Sequence, residues 1–166
     1  IDYICLTLSL CMAKTWKDED ISLDPIKDQT VAVIGYGIQG DAQANNMKDS
    51  GLKVIVGLRE GSPTWNKAKE DGHEVMSVAN ATKQADIVHI LLPDMVQAKV
   101  YKEEIGPNLS EGNALSFSHA AAIYWKWIDA PENVDLIMVA PKGPGSKVRE
   151  TYQQNFGTPS IVAVEQ

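Results

Sequence analysis

The sequence predicts an α/β fold, a doubly wound parallel sheet with helices on both faces. Three observations carry that prediction. Six short apolar or β-branched runs alternate with helical stretches. The first run stops at a glycine turn of the form G-x-G-x-x-G, which opens a helix. No repeat, low-complexity stretch or composition break interrupts the alternation across 166 residues, a length that supports one domain with a real core.

Residues 1–11 stand apart from this pattern. Ile4, Cys5, Leu6, Leu8, Leu10 and Cys11 form a short apolar run with one acid, Asp2, and no basic start. A membrane span needs about 20 apolar residues, and a signal peptide needs a positive start and a small-residue cleavage site. Neither is present, and Met12-Ala13-Lys14 reads as a natural start. The first eleven residues are therefore expected to be upstream sequence or a disordered lead, with the folded domain over 12–166.

Thr30–Ile34 (TVAVI) is β-branched and stops at glycine, as a fully buried parallel strand should. Residues 38–50 read as a helix ended by Gly51, where a positive φ is needed. Its apolar face is thin (Ile38, Ala42, Met47), so small residues must let it lie close to the sheet. A second strand covers 53–58, a loop runs through Pro63, and a helix over 65–71 stops at Gly72. The third strand, 86–92, ends at Pro93, and a helix over 96–105 is stopped by Gly106-Pro107. Strands at Ala114–Phe117, 136–139 and Ser160–Val164 follow, separated by helices at 120–128 and 146–155.

Lys and Arg number 15 against 22 Asp and Glu, a net charge of −7. That balance argues against nucleic acid, whose phosphates need a dense basic surface. Hydrophobic residues at 44% with charged residues at 22% are ordinary for a globular chain. Both cysteines lie in the first eleven residues, so the body is offered neither a disulfide framework nor a cysteine metal site. The composition implies a reduced, cytoplasmic, globular protein without a membrane partner.

Function begins at Gly35-Tyr36-Gly37-Ile38-Gln39-Gly40. Gly35 suits the tight turn, Gly37 lets backbone approach a pyrophosphate, and Gly40 lets helix and strand pack closely. Free amides at the helix start then hold anionic phosphates. The strand–turn–helix setting makes this a Rossmann-like dinucleotide site, against the alternative of a merely structural turn. At the end of the second strand an acid, Glu60, stands near the place that would bind a ribose hydroxyl. Arg59, Ser62 and Thr64 lie in the same short loop, and a guanidinium with two hydroxyls suits a 2′-phosphate. Neighbours on an extended segment alternate sides, so Glu60 can point away from the ribose. NADPH is favoured and NADH use is left open.

The remaining candidates sit where later strands end, the place open α/β sheets put their ligands. Asp94 either closes over the nicotinamide half or caps a helix. His119 follows the strand ALSF and Ser118 and precedes a helix, so its imidazole faces the ligand crevice. Proton transfer or substrate positioning is one reading of it, and simple N-capping is the other. His89, inside a buried strand, reads as a satisfied core residue, and His73, after Gly72, as a surface residue. Residues 140–145 (APKGPG) make a stiff, backbone-exposing loop in which Lys142 offers a positive charge to an acidic substrate or a phosphate. A plain strand–helix connection is the alternative.

Five blocks in one order strengthen these readings: VAVIGYGIQGDAQANNMKDSGL from Val31, VGLREGSPTW from Val56, LLPDMVQAKVY from Leu91, LSFSHAAAIYWKW from Leu115 and MVAPKGPGSKVRE from Met138. Over 12–166 the chain resembles the N-terminal NADP-binding domain of ketol-acid reductoisomerase, also called acetohydroxyacid isomeroreductase, and most closely its short-chain, archaeal-type members. The resemblance implies that Tyr36, Gly37, Ile38 and Gln39 bind NADP(H), and that Arg59, Ser62 and Thr64 hold its 2′-phosphate. It places Asp94, Met95, Val96 and Gln97 along the cofactor and makes Gly145 a further cofactor contact. His119 becomes the active-site histidine and Lys142 a supporting residue beside it. One departure is visible: the family histidine is often followed by glycine, and here Ala120 follows.

The family's reaction joins a magnesium-dependent alkyl migration in a 2-acetohydroxy acid to hydride delivery from NADPH, on the route to valine, leucine and isoleucine. Magnesium needs several carboxylates on a rigid frame. In the family these come from a second, helical domain, so no metal ligand is expected in this chain. The resemblance therefore implies an enzyme part that is inactive alone and homo-oligomeric when complete. Two rivals stay open: a stand-alone, non-catalytic NADP(H)-binding module, and the cofactor domain of another hydroxy-acid dehydrogenase. The second requires the His119 and Lys142 blocks to match by chance.

Overall fold

The computed structural model of the protein describes residues 14–166, so the lead 1–11, with Cys5 and Cys11, lies outside the described residues. Seven strands form one sheet in the order β3-β2-β1-β4-β5-β6-β7. They are β1 (Thr30–Ile34), β2 (Lys53–Gly57), β3 (Glu74–Met76), β4 (Ile87–Ile90), β5 (Ala114–Phe117), β6 (Asp135–Pro141) and β7 (Ser160–Val164). Every pairing from β3 across to β6 is parallel. The helices are α1 (Ile38–Asp49), α2 (Trp65–Glu70), α3 (Val78–Gln84), α4 (Asp94–Val100), α5 (Ala121–Tyr124) and α6 (Gly145–Gln153). Past Val100, α4 continues into a wider π turn over Tyr101–Ile105.

All five residues of β1 are buried, and their alternation builds a core on each face of the sheet. Ala32 and Ile34 join Ile55, Val88, Ile90, Leu115 and Phe117 under α3 and the turn carrying Ile105. Val31 and Val33 join Val56, Ala44 and Ala68 under α1 and α2. Burying a Val or Ile side chain is worth about 1.5–3 kcal/mol, so this central strand anchors both layers.

Four features differ from the sequence reading. The sheet has seven strands rather than six, because β3 and α3 were not expected. At three residues β3 is too short to show a period, and α3 is announced only by Ser77, whose hydroxyl accepts the Asn80 amide. β7 is antiparallel to β6, with Pro141 opposite Ser160 and Ile137 opposite Val164. The excursion through α6 leaves and rejoins the sheet at the same end, where the Lys142 amide donates to the Pro159 carbonyl, so the chain can only run back along β6. The helix expected over 120–128 is the single turn α5. Lys126 takes a left-handed φ of 53°, the Trp127 amide donates to the Ala122 carbonyl at 2.8 Å and the Lys126 amide to the Ile123 carbonyl at 2.9 Å. That is a Schellman stop without glycine. His73, expected at the surface, is buried.

Candidate functional site

The turn after β1 lies at the switch point of the sheet, where β2 lies on one side of β1 and β4 on the other. Gly35 has φ +100°, a conformation L side chains resist. A Cβ on Gly40 would stand 2.2 Å from the Gly35 carbonyl oxygen, so only glycine lets the helix rise this close to the turn. A Cβ on Gly37 would meet no protein atom within 4 Å. The space beside Gly37 belongs to an open crevice of about 720 Å³ lined by Gly35, Tyr36, Gly37, Ile38, Gln39, Arg59, Ser62 and Thr64. Glu60 is absent from that lining, though not by strand alternation: residues 59–62 form a turn closed by the Ser62 amide on the Arg59 carbonyl, with Gly61 at φ +73°. The Ser62 and Thr64 hydroxyls stand 3.2 Å apart, side by side on the crevice wall.

The opposite wall is built from Leu91, Leu92, Pro93, Val96, Lys99 and Val100, with Glu103 and Glu104 behind them. The sequence reading included Val96 but missed Lys99, near the end of α4, and the two glutamates of the π turn, all of which line the crevice. A charged residue in a surface helix shows no signal of that kind in sequence.

A second, smaller cavity of about 190 Å³ is lined by Gln39, Leu91, Leu92, Asp94, Gln97, Ser118, His119 and Pro141. Gln39, Leu91 and Leu92 line both spaces. His119 Nδ1 accepts the Ala121 amide at 3.3 Å and stands 3.7 Å from Asp94 Oδ2. In the neutral ring this places the proton on Nε2. His119 thus lines the cavity and bonds the first amide of α5, one residue before the N-cap Ala120. Asp94 likewise begins α4 and faces the cavity. Gln97 is buried; its amide donates to the Leu92 carbonyl at 2.8 Å, while Oε1 has no partner among the described residues.

Beneath the cavity runs a buried polar chain. His89 Nδ1 pairs with Ser116 Oγ at 2.9 Å and Nε2 with Gln43 Oε1 at 2.9 Å. The Gln43 amide reaches Gln39 Oε1 at 3.0 Å and Ser118 Oγ at 3.1 Å, and the Gln39 amide reaches the Gly143 carbonyl at 3.0 Å. Burial pushes the His89 imidazole down to about 4, so it is neutral at ordinary pH. His89 is thus a satisfied core residue, as its strand position predicts, and it steadies two residues of the cavity wall.

Four candidates line neither cavity: Gly40, which sits under the turn against Gly35, and three that stand elsewhere. Gly145 is buried at the start of α6, where a Cβ would lie 2.1 Å from the Ile38 carbonyl oxygen. It lets α6 pack onto α1 and lines neither cavity. Met95 is 90% exposed and also lines neither. Lys142 is exposed on the loop beyond Pro141, outside both linings. Among the described residues no group of three or more His, Cys, Asp or Glu is placed to hold a metal ion.

Comparison with known proteins agrees with this geometry. The family model for the acetohydroxy acid isomeroreductase NADPH-binding domain matches residues 25–166. The ketol-acid reductoisomerase (NADP(+)) of Nitrosopumilus maritimus (strain SCM1) is 83% identical over 155 residues, covering 93% of this chain and 47% of that protein. Its counterpart in Cenarchaeum symbiosum (strain A) is 76% identical over 155 residues, with coverage of 93% and 47%. A solved NADH-preferring ketol-acid reductoisomerase from an uncultured archean superposes with a TM-score of 0.87 at 51% identity, covering 90% of this chain and 46% of that one. The chain spans about half the length of the curated relatives it matches. From the glycine turn to β7, the chain belongs to the family of acetohydroxy acid isomeroreductase NADPH-binding domains.

Proposed function

We propose that this chain is the NADPH-binding part of a ketol-acid reductoisomerase. The complete enzyme would convert 2-acetolactate or 2-aceto-2-hydroxybutyrate to 2,3-dihydroxy acids in branched-chain amino-acid biosynthesis. One observation carries the reading: a single crevice joins a glycine turn to a wall bearing Arg59, Ser62 and Thr64, and shares Gln39 with the His119 cavity. The open space at Gly37 fits a pyrophosphate, and the paired hydroxyls with a guanidinium fit a 2′-phosphate. NADPH when bound supplies the hydride. The chain's own residues cradle phosphates at the start of α1, orient the cofactor between the two walls, and carry a proton at His119 beside the reacting end. Magnesium ligands are assigned to the length of the relatives that this chain does not span. A cytoplasmic, homo-oligomeric whole enzyme belongs to the same reading.

A second reading, NADH as the working cofactor, is favoured by the NADH preference of the 51% identical solved relative. A fluorescence titration of the chain with NADPH and with NADH separates the two. The first reading expects NADPH to bind at least about tenfold more tightly, the worth of one charge-assisted hydrogen bond. Tighter NADH binding would replace it with the second. Gly37→Ala should leave the fold intact and weaken both cofactors, because the methyl group fills only the space beside the pyrophosphate.

A further inference from the structure

Six polar residues beside the crevice, of which Tyr36 alone also lines it, are joined into one network. The Tyr36 ring is buried at 2% exposure in the core under α1 and α2, and its hydroxyl emerges against the end of α2. There it donates to Asp71 Oδ2 at 2.7 Å and accepts from the Asn45 amide at 3.0 Å. The same Asn45 amide reaches Asp41 Oδ1 at 2.8 Å, and Asn45 Oδ1 pairs with His73 Nε2 at 3.1 Å. Lys67, on α2, bonds Asp41 on the first turn of α1 and lies 3.5 Å from Asp71. Its ammonium also sits 5.2 Å from the centre of the Tyr36 ring. The protonation states agree with this wiring. Burial and then the Asp71 carboxylate hold the Tyr36 hydroxyl well above its ordinary range, the Tyr36 hydrogen bond lowers Asp71, and the Asp41 hydrogen bond raises Lys67.

The placement of this network matters more than its strength. Residues 59–64 are held at one end by β2, locked in the sheet, and at the other by α2, which has only six residues. A helix that short does not fix its own position. Ala68 and Trp65 pack it against the sheet, and the network ties it to two points of the phosphate-binding turn: Tyr36 between the first two glycines, and Asp41 just after the third. Any slip of α2 along α1 moves Thr64, its N-cap, and with it Ser62.

We infer that the Tyr36–Asp71–Lys67–Asp41–Asn45 network is a positioning device that sets the distance between the pyrophosphate turn and the 59–64 loop, and so determines the preference for a cofactor carrying a 2′-phosphate. This rests on the reading of the crevice as an NADPH site. NADH uses the glycine turn but has no phosphate for the loop to meet, so disturbing the tether weakens NADPH selectively.

The test measures Kd for NADPH and NADH on the whole chain and its variants, with thermal unfolding alongside. Lys67→Met should raise the NADPH Kd about tenfold while NADH moves less than about twofold, since one charge-assisted contact to the phosphate is lost. Lys67→Arg keeps a donor for both carboxylates and should restore most of the ratio. Asp41→Ala is decisive because two explanations give opposite signs. If these residues act only through their charge, removing an anion near the phosphates strengthens NADPH; if they position the loop, NADPH binding weakens. Tighter NADPH binding in Asp41→Ala, or equal losses for both cofactors in Lys67→Met, would overturn the inference while leaving the NADPH site itself standing. Failure of the folded wild-type chain to bind NADPH would overturn the site reading, and the inference with it.

Discussion

The half of the sheet around β1 and the far edge at β7 are built to different standards. Around the β1–α1–β2–α2 unit, β1 is buried along its whole length, and the Tyr36 hydroxyl is paired with Asn45 and Asp71, while His73 Nδ1 stays buried without a partner among the described residues. At the β6–α6–β7 end, every residue of β7 is exposed, and Ile161, Val162, Val164 and Phe156 present apolar surface at 52–71% exposure. The first region carries the cofactor crevice. The second has an antiparallel edge strand held from one side only, a geometry that contributes little burial. The contrast teaches that the binding half derives its rigidity from packing on both faces of the sheet, and that the far edge follows rather than supports it.

The strongest way to break that comparison is to add one methyl group at each end. Gly40→Ala forces a Cβ against the Gly35 carbonyl oxygen at 2.2 Å and should cost about 3 kcal/mol by denaturant unfolding. Gly157→Ala, in the segment before β7, meets nothing within 4 Å and should change stability by less than about 0.5 kcal/mol. Similar losses at the two sites would show that the far edge is as tightly built as the turn.

Acid should loosen the centre of the sheet next. The His89 imidazole takes up its proton near pH 6.5 when unfolded and only near pH 4 when folded, so the unfolded chain binds more protons between those values. Its contribution is complete above pH 6.5 and falls as pH drops towards 4, a loss of about 3 kcal/mol for a depression of this size. Burial lowers His73 as well, and its effect has the same sign. Urea midpoints measured from pH 7 to pH 4 should fall, and His89→Gln should flatten much of the slope. An unchanged slope in that variant would place the acid sensitivity elsewhere.

The smallest effects come from trimming one valine on each strand. Val33→Ala removes two buried methyl groups and should cost about 2 kcal/mol, whereas Val162→Ala, 62% exposed, should cost less than about 0.5 kcal/mol. Amide exchange sharpens the same point: β1 amides should exchange only on global opening, and the outer β7 amides by local fraying.

The sequence by itself determined the parallel α/β core, the glycine turn and the crevice residues of the 59–64 loop. Each rests on a local rule: a β-branched run ending at glycine, a turn that admits no Cβ at Gly40, and a guanidinium with two hydroxyls in one short loop after β2. Tertiary structure alone decided the rest. The direction of β7 depends on where α6 brings the chain back to the sheet, and an apolar run reads the same both ways. β3 and α3 were too short for their periods to register, and Lys126 ended α5 in a conformation that its residue type does not announce. His73 became buried, and Lys99, Glu103 and Glu104 reached the crevice, only because distant segments packed beside them. Gly145, a cofactor contact by family resemblance, packs so close to Ile38 that only glycine fits there, a closeness that no local pattern announces. Local rules specify what a segment can form; which neighbour it meets is set by the packing of the whole chain, and no window of residues contains that information.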